Sequence, residues 1–266
     1  MNLPRVVVSA VCAVVLTGAA ITAASPASAA TVNYVALGDS YSSGTGAGSY
    51  DSSGCQRSTN AYPAKWAAAH SPASFSFVAC AGATTADVLS KQLGALSPST
   101  TLASITIGGN DAGFSSVMQT CVLYSTASCL NAITAAENYM DGRLPGNLST
   151  LFTAVHSKAA SAQVIVLDYP HLYIITSYCA GLNNTKRTAL NGAADKLDTT
   201  IGKAAANAGF AFADVRSRFS GHELCSGDGW LHSVTIPFGE SYHPTAVGHA
   251  QGYLPVFSSA VAAAAG

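Results

Sequence analysis

The sequence predicts an α/β fold in which a parallel sheet is covered by helices on both faces. Three observations predict it. Five short runs are apolar throughout rather than alternating, which is how strands buried on both faces read. Segments with helical periodicity separate them. Residues able to carry chemistry also follow directly after the strand-like runs: Ser40 after the first, Gly82 soon after the second, Asn110 after the third. Ligands of such sheets gather at the carboxyl ends of the strands, so a functional site is expected along that edge.

The chain opens with a single basic residue, Arg5, then an Ala/Val-rich run from Val6 to about Ala24, then Pro26-Ala27-Ser28-Ala29-Ala30. A basic start, an apolar middle and a small-residue exit read as a cleaved secretory signal. As a membrane anchor the run has about the required length, but Thr17, Gly18 and Thr22 dilute it and Ala-x-Ala follows. Residues 1–29 are therefore expected to leave as a signal peptide, and residues 30–266 to form one domain, since no linker, repeat or charge block divides them.

Val32 to Leu37 is the first expected strand, emptying into Gly38; the others are Phe75 to Val78, Leu102 to Ile107, Val164 to Leu167 and Phe210 to Ala213. The clearest helix runs from about Thr185 to Asn207. Leu190, Ala194, Leu197, Ile201 and Ala204 recur there at three- and four-residue steps, with Asn184 placed to cap the start and Gly209 to stop the end. A last helix is expected after Pro244, ended or kinked by Pro255.

Charged residues make up 9% of the chain and the net charge is −1, so no basic surface is available to follow a phosphate backbone, and nucleic acid is not expected as a partner. Of seven cysteines, Cys12 lies in the signal. The remaining six, Cys55, Cys80, Cys121, Cys129, Cys179 and Cys225, suggest three disulfides in an exported chain. Six cysteines allow 15 pairings, among which sequence does not choose; neighbours taken in order give 55–80, 121–129 and 179–225. No Cys-x-x-Cys supports a zinc site.

Four segments carry candidate chemistry. In Gly38-Asp39-Ser40, glycine permits a tight turn and Ser40 stands at the start of a helical turn, where backbone N–H groups point outward; the same tripeptide also suits a plain helix cap. Gly82 can bring its N–H close to a ligand, with Thr84 or Thr85 capping a helix from near Ala86. In Gly108-Gly109-Asn110-Asp111 the Asn110 amide can aim a donor at an oxyanion, while Asp111 satisfies the turn. His243, before Pro244 and an expected helix N-terminus, has the context of a neutral base near neutral pH; His70, His171 and His249 are expected in structural or solvent roles, His249 on the surface of the last helix. Two groups can orient His243, the Glu240 carboxylate or a backbone carbonyl such as that of Ser241, and the sequence leaves both open.

Taken in order, Gly38-Asp39-Ser40-Tyr41-Ser42-Ser43-Gly44, Gly82, Gly108-Gly109-Asn110-Asp111 and His243-Pro244 resemble the four blocks of the SGNH hydrolases, also called GDSL lipases and esterases. The resemblance is nearest to the secreted actinomycete-type lipases and phospholipases, which share the opening motif and a similar set of six cysteines. It implies a three-layer α/β/α, flavodoxin-like fold with about five parallel strands. It also implies Ser40 as nucleophile, His243 as base, and Ser40, Gly82 and Asn110 as the oxyanion hole, and it implies no metal or organic cofactor. Many members carry Asp three residues before the histidine where this chain has Glu240, which leaves a Ser-His dyad supported by a main-chain carbonyl as the alternative to a triad.

The expected function is therefore a secreted ester hydrolase acting on lipids, a monomer in transient contact with a lipid interface. The rate is expected to fall below roughly pH 6 as His243 protonates. Polysaccharide deacetylation and thioester hydrolysis use the same constellation, and a catalytically silent secreted binding protein is the rival from another class. An α/β-hydrolase elbow, Gly-x-Ser-x-Gly, is excluded at Ser40 because Ser42 stands where the second glycine is needed. Tyr41, Phe114, Tyr173, Ile174, Ile175 and Tyr178 are candidates for an acyl pocket, at least half of them expected in the core.

Overall fold

A computed structural model describes residues 1–4 and 31–263. The expected signal peptide lies largely outside the described residues. From Thr31 onward the chain forms one unit.

Five strands, β1 (Asn33–Gly38), β2 (Ser74–Phe77), β3 (Leu102–Thr106), β4 (Gln163–Leu167) and β5 (Ala211–Ala213), make an all-parallel sheet in the order β2-β1-β3-β4-β5. Each matches an expected run to within about two residues at either end, and the flavodoxin-like order is the one the family resemblance implies. The central strands are almost wholly buried while β2 and β5, at the edges, are partly exposed. The chain runs from β1 to β2 on one side and then crosses back past β1 to β3 on the other, so the strand order reverses at β1 and a crevice is expected between the carboxyl ends of β1 and β3.

Around the sheet run α1 (Ser40–Ser43), α2 (Tyr62–His70), α3 (Thr85–Asp87), α4 (Phe114–Leu123), α5 (Thr126–Gly142), α6 (Leu144–Lys158), α7 (Asn184–Asn207), α8 (Arg216–Phe219) and α9 (Leu254–Ala263). On one face Tyr34 of β1 stacks with Phe257 of α9 and meets the edge of Trp66 of α2. On the other, α7 packs across β4 and β5 with α5 and α6 beside it. The apolar stripe of α7 is buried as its spacing predicts at Leu190, Leu197, Ile201 and Ala204. Its cap is Asn183, one residue before the expected Asn184: the Asn183 side chain accepts from the Lys186 N–H at 3.0 Å, while Asn184 turns to accept from Arg187 at 2.9 Å. Thr84 caps α3 in a reciprocal box with Asp87.

The C-terminal helix does not end at Pro255, the first of the two outcomes expected of that residue, but runs on to Ala263. A widened π turn, Gly248–Tyr253, comes first, and Pro255 stands in the first turn of α9, where its missing N–H is not needed. The carbonyl of Gln251, four residues before Pro255, instead accepts from the Arg218 guanidinium at 3.0 Å. His249, expected on the surface of this helix, is fully buried: its Nδ1 faces the Tyr62 N–H at 3.4 Å and its ring stacks on Tyr62, because the helix turns this face inward onto α2. Burial pushes its imidazole down to about 3.

The cysteines pair as neighbours in order, Cys55–Cys80, Cys121–Cys129 and Cys179–Cys225.

Candidate active site

The turn that carries Ser40 is built by the end of β1. Gly38 has φ +119°, and a Cβ there would stand 2.4 Å from the Thr106 carbonyl and 2.8 Å from Ser42 Oγ, so only glycine lets β1 run this close to β3. Its peptide groups are clamped by the Gln92 amide, which accepts from Gly38 N–H at 2.8 Å and donates to the Gly38 carbonyl at 2.9 Å. Asp39 then caps α1, accepting from the Tyr41 N–H at 2.9 Å, and Ser40 becomes the first residue of a single helical turn closed by Gly44 at φ +93°. The short helix and the Ser40 turn are thus the same feature: the cap residue fixes where the serine stands.

His243 reaches this turn from across the chain. Its Nε2 lies 2.8 Å from Ser40 Oγ, and its Nδ1 lies 3.0 Å from the carbonyl of Ser241. A carbonyl can only accept, so Nδ1 carries the proton and the Nε2 lone pair is left to accept from the serine hydroxyl. Glu240 does not take part: its carboxylate accepts from the Tyr50 hydroxyl at 2.7 Å, and that hydroxyl in turn accepts from the Gly46 N–H. Of the two orienting groups the sequence left open, the main-chain carbonyl is the one in place.

Burial pulls the His243 imidazole down to about 4, against a partial upward pull from the backbone carbonyls of Ser241 and Glu240. The expected cause, a helix N-terminus, is not the principal one. The helical turn that follows is capped by Thr245, whose Oγ1 accepts from the Gly248 N–H at 3.1 Å, two residues beyond the histidine.

The three expected oxyanion donors stand on three separate loops, with Ser40 and Asn110 lining one cavity. Among the described residues neither Ser40 nor Gly82, at φ +77°, gives its backbone N–H to a protein acceptor. The Asn110 amide donates one hydrogen to the Ala83 carbonyl at 3.0 Å, which holds its plane and leaves the second N–H available. Asp111 does not close its own turn as expected; its carboxylate reaches the N–H and hydroxyl of Thr85, tying the Asn110 loop to the start of α3 just beyond Gly82. The Cys55–Cys80 disulfide and the bond from Ala81 N–H to the Cys55 carbonyl, 3.0 Å, anchor the other side of Gly82.

One positioning residue escaped the sequence reading. Tyr169, just past β4, donates its hydroxyl hydrogen to Asp39 while accepting from the Gly109 N–H at 3.1 Å, so a single oxygen links the Ser40 turn to the Asn110 loop. Burial pushes the Asp39 carboxyl up to about 7, and the Tyr41 ring, packed between Tyr169 and His243, donates its hydroxyl to the Tyr242 carbonyl at 2.6 Å. The available signal was position alone, an aromatic hydroxyl at the carboxyl end of a central strand. Two other histidines stand apart: His171 Nε2 meets Asp195 at 2.8 Å, and His70 meets the Trp66 carbonyl at 2.9 Å.

From Ser40 an apolar cavity runs between α5 and α7, with Phe114, Ile133, Ala136, Met140, Leu190 and Leu197 among its walls. Of the expected acyl-pocket candidates Tyr41 and Phe114 line it. Tyr173 is buried elsewhere, and Ile175 and Tyr178 are exposed, serving neither as pocket nor as core. A second, open groove on the far side of Phe114 ends at His243.

With the geometry in view, comparisons with known proteins are informative. The GDSL-like Lipase/Acylhydrolase family matches residues 36–251. Lipase 1 of Streptomyces coelicolor is 58% identical over 248 residues, 92% of each chain. Two solved structures superpose with TM-scores of 0.85, each covering 86% of this chain and 99% of its own: an extracellular lipase from Streptomyces rimosus, 54% identical, and phospholipase A1 from Streptomyces albidoflavus NA297, 56% identical.

Proposed function

The chain belongs to the GDSL-like lipase/acylhydrolase family, and from that premise we propose that it is a secreted hydrolase of carboxylic esters of lipids, with Ser40 as nucleophile and His243 as base. The observation that carries the reading is the ordered pair of contacts on one imidazole, Ser241 carbonyl to Nδ1 and Nε2 to Ser40 Oγ. Together they set the tautomer a base requires.

In this reading Ser40 Oγ attacks the ester carbonyl carbon as its proton passes to His243 Nε2. The N–H groups of Ser40 and Gly82 and the Asn110 amide hold the oxyanion, each such donor worth roughly 3 kcal/mol in the transition state. The carbon–oxygen bond to the alcohol then breaks and the alcohol oxygen takes the proton from Nε2. Water, deprotonated by the same nitrogen, attacks the acyl carbon; the bond from that carbon to Ser40 Oγ breaks, Oγ takes the proton back from Nε2, and the carboxylic acid leaves. The acyl chain occupies the apolar cavity between α5 and α7, which begins at the serine and is walled by hydrocarbon.

A lipid interface fits the rim of the site. The groove beside His243 is edged by Leu123 and Phe238, 63% and 71% exposed, with Val122 and Val234 between them. Apolar side chains clustered at the mouth of a site, rather than scattered, mark an interaction surface. Secretion, with removal of residues 1–29, is supported by the Ala-rich leader, by three disulfides and by the extracellular lipase among the relatives.

The test compares the parent chain with Ser40→Ala on phosphatidylcholine vesicles, a triacylglycerol emulsion and a soluble acetyl ester, with a fluorophosphonate probe as label. The proposal expects labelling and lipid hydrolysis in the parent and a loss of at least ~10³-fold in the variant. Unchanged hydrolysis in folded Ser40→Ala overturns the nucleophile, and a preference for the acetyl ester overturns the lipid reading.

A further inference from the structure

We propose that Met140 is the floor of the acyl cavity and sets the length of acyl chain the enzyme accepts. The inference rests on the acyl assignment above and deepens it.

Two chambers lie along α7. Leu190, Ala193, Ala194 and Leu197 line the inner one, which contains Ser40. Thr200, Lys203, Ala204 and Asn207 line the outer one. These eight positions continue one another at three- and four-residue steps, so they form a single stripe of one helix, and the two chambers are two stretches of one groove. On the facing helix, Ile133, Ala136 and Met140 of α5 repeat the pattern. Among the described residues Met140 is the one that lines both chambers, and it is buried. It is the partition.

The chemistry changes across that partition. The inner chamber is small, about 70 Å³, and apart from the end at Asp39, Ser40 and Asn110 its walls are apolar side chains and two tyrosines, Tyr41 and Tyr169. The outer, about 370 Å³, is bounded by Asp141, Ser149, Thr153, Thr200, Lys203 and Asn207 and opens to water. An acyl chain growing from Ser40 meets apolar wall until it meets Met140, and beyond it there is room. Chain length is therefore limited by one unbranched side chain rather than by the body of the core. Methionine, flexible and polarizable, closes such a gap without fixed shape, so the limit is a graded one.

The experiment measures kcat/KM for acetyl, butyryl, octanoyl, dodecanoyl and palmitoyl nitrophenyl esters in the parent, Met140→Ala, Met140→Phe and Ala136→Phe. Met140→Ala is expected to raise the long-to-short ratio, by roughly fourfold for each methylene newly accommodated, and Met140→Phe to lower it. Loss of folded protein lowers every ester alike and leaves the ratio unmoved, so instability does not imitate either result. Ala136→Phe fills the cavity one helical turn before the floor and separates the two readings. If it suppresses long esters while both Met140 variants keep the parental ratio, the acyl chain is in this cavity and Met140 is not its floor. If none of the three variants changes the ratio, the acyl assignment itself is wrong.

Discussion

Lowering the pH is the perturbation that tests the His243 assignment most directly. Burial takes this imidazole from 6.5 down to about 4, and the group facing its Nδ1 is a neutral carbonyl rather than a carboxylate, so little charge is present to draw the proton back. The sign follows from which form works: the neutral ring accepts the serine proton, so activity is retained above the folded pKa and lost below it. At pH 5 a base titrating at about 4 is about nine-tenths neutral, whereas one left at the ordinary histidine value is about 3% neutral. The acid limb should therefore fall near pH 4, about two units lower than the sequence context alone suggests. The assay is kcat/KM for a soluble butyryl ester from pH 3.5 to 8, by quenched chromatographic measurement of the alcohol. Both buried imidazoles, His243 and His249, hold fewer protons folded than unfolded, so stability is expected to fall as pH drops from about 6.5 toward 4. Circular dichroism at each pH separates that loss from the titration. A half-maximal point above pH 6 with the fold intact would refute the reasoning.

Three further outcomes follow from named contacts. Glu240→Gln should keep kcat/KM close to the parental value, since its carboxylate serves Tyr50; a loss approaching the ~10⁴-fold seen when a triad loses its carboxylate partner would restore a Ser-His-Glu triad. Asn110→Ala should lower kcat about 10²- to 10³-fold with little change in KM, because the amide acts on the oxyanion rather than on bound substrate; steady-state kinetics on the butyryl ester decide it. Replacing Cys55 and Cys80 together by serine opens a loop with a sequence separation of 25 and should cost about 3.5 kcal/mol in a urea titration. An unchanged midpoint would show that the Gly82 loop is held by its other contacts.

The strands were legible because a parallel sheet covered on both faces demands continuous apolar runs, a signal contained in four to six consecutive residues. The stripe of α7 was legible for the analogous reason, a period of three and four. Errors fell where two solutions differ by one residue or by one distant contact. Asn183 and Asn184 are chemically equal caps, and the choice between them depends on Arg187 drawing one of them away. Pro255 reads as a breaker until Arg218, from a separate helix, supplies the donor that the Gln251 carbonyl needs. His249 sits among small and polar residues in the sequence, and only α2, packed against it, makes its face an inner one.

By itself the sequence determined the candidate set: a serine after a strand and glycine, an asparagine after two glycines, a histidine before a proline, and the order in which they meet a sheet edge. These are properties of neighbouring residues, written in spacing and residue type. Tertiary structure alone decided what steadies His243, since Glu240 and Ser241 are equally near along the chain and Tyr50, 190 residues from Glu240, claims the carboxylate. It alone brought Tyr169 between Asp39 and Gly109, and it alone set α5 against α7 to make an apolar cavity that Met140 lines. A hydrogen bond or a cavity wall depends on atoms placed to within a fraction of an ångström by segments far apart in the chain, and no local pattern carries that information.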